Sequence, residues 1–141
     1  MVNLEIWYDQ ESENDLGPGD PAILVQTVAE LDSFVDRVLG ETKDHLVPPM
    51  IQVALAGVRR SPVLEVGLGQ QKGFIGYSSR DEKGWSQGDS ALSGTVSYVY
   101  AGNSSQVPAT AEIPIESVRQ GLVEFLETGR GPSVVADGVK R

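Results

Sequence analysis

Cysteine is absent from the 141 residues and histidine occurs once, at His45. With no thiol, no disulfide can form, and a zinc site of the usual His and Cys composition cannot be assembled from one imidazole. A thiol-free chain fits a reducing compartment. Long apolar runs are missing too: nowhere do 18 apolar residues follow one another, so no membrane-crossing helix is expected. The opening MVNLEIWY has neither a basic start nor an apolar stretch of signal-peptide length, and the expected location is the cytoplasm.

Basic residues are scarce at one end only. Residues 1–45 carry 11 acidic side chains against Arg37 and Lys43, whereas residues 46–141 balance nine against nine. The whole formal charge of −9 therefore lies in the first third. Such a field repels phosphates, which argues against nucleic acid as a partner, and it draws a basic protein surface toward it.

Chemistry-bearing motifs are also lacking. Acidic residues alternate at Asp9, Glu11, Glu13 and Asp15, but without the glycine and closing glutamate of a calcium loop. VGLGQQKG at 66–73 is not a phosphate loop, because Lys72 precedes Gly73 and no Ser or Thr follows the pair. There is no GxSxG elbow, and nothing singles out a carboxylate pair among 20 acids. No cofactor, metal or catalytic residue is expected, and the chain does not read as an enzyme.

What is present is a regular alternation of elements. Residues 2–8 form a strand, followed by an exposed acidic loop at 9–20. Asp20-Pro21 supplies a helix start, and apolar residues at Ile23, Leu24, Val28, Leu31, Val35, Val38 and Leu39 carry the helix to a stop at Gly40. Strands are expected at 50–56, 63–68, 73–79 and 94–100, the last with Val96, Tyr98 and Tyr100 on one face. A second helix spans 114–128, with Ile115, Val118, Leu122, Phe125 and Leu126 on one stripe and Gly129 closing it. Residues 130–141 form a tail, with a short edge strand expected at Val134-Val135. The order predicts a single α+β domain: an antiparallel meander of about five to six strands with two helices packed on one face.

One stretch stands apart. EKGWSQGD at 82–89 holds Trp85, one of two tryptophans, between Gly84 and Gly88. Its indole either pins a glycine-flanked turn from inside or, with Gln87 and Asp89 beside it, anchors a partner.

The succession LEVGLGQQKGFIGYSS (64–79), GWSQGD (84–89), VSYVYAG (96–102), QVPATAEIPIE (106–116) and RQGLVEFLETG (119–129) resembles the first family of immunity proteins from bacterial polymorphic toxin systems. The resemblance covers residues 2–130, from the opening LEIWY to the threonine-glycine pair. Two departures stand out. The end lacks the tryptophan that members often carry there, and the loop at 9–20 is more acidic than the family pattern requires. The resemblance implies a protein that binds and occludes the catalytic domain of a cognate toxin, with nucleic-acid deaminases and nucleases as the implied targets. A toxin of that kind presents basic surface to hold its substrate. Asp9, Glu11, Glu13, Asp15 and Asp20 are accordingly the candidates for meeting it, with Trp85, Gln87 and Asp89 as the candidate anchor. The alternatives are a small-molecule-binding or regulatory domain, which requires an enclosed pocket, and an uncharacterised enzyme, which requires a cleft with perturbed titratable groups.

Overall fold

The computed structural model describes residues 2–8, 23–80, 82–89, 91–100 and 103–135. The acidic candidates Asp9, Glu11, Glu13, Asp15 and Asp20 lie outside the described residues, as does the tail beyond Val135.

The described residues form nine strands and two α-helices: β1 (Leu4–Trp7), β2 (Ile23–Val25), α1 (Val28–Glu41), β3 (Met50–Leu55), β4 (Val63–Leu68), β5 (Lys72–Ser78), β6 (Lys83–Trp85), β7 (Thr95–Tyr100), β8 (Asn103–Pro108), β9 (Ile113–Pro114) and α2 (Ile115–Thr128). The main sheet is antiparallel in the order β2-β1-β3-β4-β5-β6, with β9 added to the start of β5. β7 and β8 form a separate two-stranded sheet. The fold class is α+β, as expected.

The first helix corrects the expectation. It starts at Val28, not at Asp20-Pro21, because Ile23–Val25 pairs with β1 in the register Ile6↔Ile23 and Leu4↔Val25. That pairing satisfies the backbone of both segments and buries Val25. The start signal is Thr27: its Oγ1 accepts the Glu30 N–H at 3.1 Å, while the Glu30 carboxylate accepts the Gln26 N–H at 2.7 Å. This is a variant of the reciprocal box that satisfies two orphan donors. Gly40 does not stop the helix either. It continues to Glu41, and the Thr42 hydroxyl donates to the Val38 carbonyl at 2.8 Å.

α2 ends as expected at Gly129, whose left-handed backbone (φ 71°) returns its N–H to Phe125 O. Gly121 costs the helix ~1 kcal/mol in propensity. A Cβ there would lie 2.5 Å from Ile75 Cδ1, so glycine sets how closely the helix seats on the sheet.

Alternation along the strands sends Leu4, Ile6, Ile51, Val53, Leu64, Val66, Leu68 and Ile75 to the helical face, where they meet Leu31, Phe34, Val35, Val38, Val118, Leu122, Phe125 and Leu126. This is the larger core. A second cluster forms on the opposite face from Met50, Phe74, Tyr98, Val107 and Ala111, with Trp85 and Val96 packed against it.

That second cluster explains why β7 does not continue the meander. β5 is apolar on both faces, Ile75 toward the helices and Phe74 away from them, so both sides need cover. The β7–β8 hairpin folds over Phe74, held by the bridge Pro49↔Val99. Buried Ser86 ties the edge together, its Oγ accepting the Ile75 N–H at 3.0 Å and donating to Ala111 O at 2.5 Å. β8 itself was not expected, and Val134-Val135 forms a 3₁₀ turn with Ser133 rather than an edge strand. No helix among the described residues is long and apolar enough to cross a membrane.

Candidate partner-binding face

The hairpin covers only one end of the second sheet face. It lies over the cross-strand row Met50–Gly67–Phe74. The next row is Trp7–Gln52–Glu65–Gly76–Trp85, each residue directly opposite the next across β1, β3, β4, β5 and β6. Beyond it runs Glu5–Ala54–Val63–Ser78–Lys83. Antiparallel registers put every member of a row on the same side of the sheet. Both tryptophans of the chain therefore stand on one face. Four inter-strand spacings separate them, about 19 Å.

Trp85 is partly buried and does two jobs in the fold. Its ring meets Phe74 edge-on with centroids 5.6 Å apart, and it lies over Gly76, where a Cβ would come within 2.9 Å of Cζ3. Any side chain at 76 would push the indole off the sheet. What remains exposed of the ring walls a concavity of about 340 Å³ with Val63, Glu65, Ser78 and Lys83. Trp7 is also partly buried, yet it belongs to neither core cluster.

Gln87 and Asp89 follow β6 and are not part of the row. Gln87 is exposed and turns its Nε2 back to the Trp85 carbonyl at 3.1 Å. Asp89 is exposed and its Oδ1 accepts the Ala91 N–H at 2.9 Å, holding the turn toward β7. Of the candidate anchor, the face thus contains Trp85 and replaces its two sequence neighbours with Glu65 and Trp7, which only strand register brings near.

The carboxylates divide by layer. On the helical side, Arg37 pairs with Glu41 at 3.2 Å, and Arg119 from α2 reaches both Asp32 and Asp36 on α1. On the sheet face, Glu5 and Glu65 are partly buried and have neither ion pair nor hydrogen bond among the described residues. Lys83 sits at the rim and is exposed.

Chemistry of other kinds finds little to build on. Among the described residues no three His, Asp or Glu side chains gather as a metal site would require. His45 is exposed in the segment after α1. The clearest perturbed group is Tyr98, whose hydroxyl donates to Glu112 Oε2 at 2.7 Å. Burial first, then this bond and the Glu112 charge, hold its pKa well above the ordinary tyrosine value. The pair joins β7 to the segment before β9 and is structural. A group whose folded pKa is raised adds stability below its unfolded pKa of about 10 and loses it as pH rises further. Unfolding free energy should therefore fall above about pH 10, and Tyr98→Phe should flatten that fall while costing about 1–3 kcal/mol at neutral pH through the stranded Glu112. Equal alkaline slopes for the two proteins in urea titrations would reject this role.

The family model described as Immunity protein Imm1 matches residues 19–136, more than half of the chain. No curated protein matches it. The matched span holds every element from β2 to α2, including Glu65, Gly76 and Trp85. The chain belongs to the Imm1 family of immunity proteins.

Proposed function

We propose that the chain is a single-domain cytoplasmic immunity protein that binds the catalytic domain of a cognate toxin and blocks it, carrying out no reaction of its own. The observation that carries this reading is the family match over residues 19–136. The charge supports it: 11 acids within residues 1–45 make a field suited to a basic partner. A toxin acting on nucleic acid must hold phosphates with Lys and Arg, so a nuclease or deaminase domain is the partner best matched to that field.

The mode of inhibition is occlusion. A standard interface covers ~800 Å² per partner, enough to close the mouth of a small catalytic domain. The test is growth. Cells expressing the catalytic domain encoded by the adjacent reading frame should die without this protein and grow with it, and the two should elute as a one-to-one complex. Failure to restore growth, with no complex formed, would remove the immunity reading.

A further inference from the structure

We infer that the row Trp7–Gln52–Glu65–Gly76–Trp85 is the docking face for an arginine-bearing segment of the toxin domain, with the guanidinium on the Glu65 carboxylate and against the Trp85 indole. This rests on the immunity reading above and adds to it a surface and a chemistry.

Three features of the face point the same way. First, the described residues leave this sheet face open: the β7–β8 hairpin stops at the row containing Phe74, and the two rows beyond it have no described element over them. Second, the chain spends both its tryptophans there, and Trp7 contributes to neither core. Large, rigid aromatics that retain exposed area are the side chains that dominate protein interfaces when a partner covers them.

Third, the floor carries a charge with no partner among the described residues. Glu65 lies on β4, an interior strand, opposite Gln52 on one side and Gly76 on the other, and no described cation pairs with it. A partner that covers this face takes Glu65 out of water. The complex then holds together only if the partner brings a cation to that carboxylate. Arginine fits better than lysine: its planar, weakly hydrated group meets a carboxylate in two parallel bonds and stacks on an aromatic face. Gly76 separates Glu65 from Trp85 in the row, and because it has no side chain the Trp85 ring lies over it, which brings the indole toward Glu65. The concavity lies at that position. The about 19 Å between the two tryptophans admits a helix or hairpin loop, which is ~10–12 Å across. The charge of −9 agrees in sign with such an occupant.

Both tryptophans being on this face makes it directly observable. Protein labelled with 5-fluorotryptophan gives two ¹⁹F resonances, assigned with Trp7→Phe. Adding the adjacent-frame toxin domain, inactivated by substitution, should shift or broaden both as the complex forms. Glu65→Arg should weaken the complex about 100-fold and Glu65→Gln about tenfold, chiefly through faster dissociation. Glu127→Arg, an exposed site on the helical layer, should change it no more than about twofold. The glutamine variant serves if the arginine variant does not fold, and each is read only where its free ¹⁹F spectrum matches the parent. A complex that leaves both resonances unmoved, or that tolerates the Glu65 variants, would overturn the inference. So would resonances that move with protein concentration alone, since the face would then pair two copies of the chain. Loss of all binding by the parent protein is a different failure: it removes the immunity reading and this inference with it.

Discussion

Phe74→Ala is expected to cost the fold about 3–5 kcal/mol, in keeping with truncation of a fully buried aromatic ring. Phe74 is completely buried, with Trp85 at 5.6 Å and Tyr98 at 4.9 Å between ring centroids. It is the side chain that joins the main sheet to the hairpin layer. Its removal leaves a cavity flanked by two large rings that cannot collapse into it without moving β6 or β7. With a total stability of about 5–15 kcal/mol for a domain, the variant should unfold at a much lower urea concentration with an unchanged slope. Trp85 should report it directly, since its ring loses the surface it leans on. A loss below about 1 kcal/mol would mean that the second cluster is not a cooperative part of the fold, and that the hairpin rests on the sheet through its backbone alone.

Much of this layering was legible in the sequence, and the failures have particular causes. α2 read correctly at both ends, because Pro114, an apolar stripe at 3.6 spacing and Gly129 all agreed. α1 misread at its start because Asp20-Pro21 is a valid start signal followed by apolar residues at helical spacing. The competing signal, Thr27 with Glu30, was present in the same stretch and is the one used. Nothing local distinguishes the two. Pairing of Ile23–Val25 with β1 decides it, and that is a long-range event. β8 was missed because NSSQVP has no apolar alternation. Among its described side chains only Val107 is fully buried, while Gln106 and Ser97 bond to each other outside. The hairpin's placement was invisible for a related reason: periodicity shows that Tyr98 faces a core but not which face of the sheet supplies it.

The candidate site shows the same division. Trp85 stands out from its glycine neighbours, and adjacency in sequence groups Gln87 and Asp89 with it. The sheet instead sets Trp85 beside Glu65, and through two further strands beside Trp7. That adjacency depends on the registers of β1, β3, β4, β5 and β6 together. A slip of one residue in any pairing would send every side chain of the slipped strand to the opposite face and break the row.

Reversing Asp9, Glu11, Glu13 and Asp15 to Lys is expected to slow association with the toxin domain by about 10–100-fold at low salt. Each reversal changes the charge by two, so the formal net charge moves from −9 to −1. Three other acids of the first third, Asp32, Asp36 and Glu41, contribute less to a distant partner, because they lie against Arg119 and Arg37 and their fields partly cancel. Steering acts before contact, so the dissociation rate should change little. The difference between the two proteins should close as ionic strength rises and the screening length falls from about 30 Å at 0.01 M to about 8 Å at physiological salt. This pattern is opposite to that of Glu65→Arg, whose effect falls on dissociation and persists in salt, because the charge is covered in the complex. Stopped-flow mixing over a salt series separates them. Unchanged association at low salt would remove the acidic stretch as the steering element and leave the sheet face to account for recognition alone.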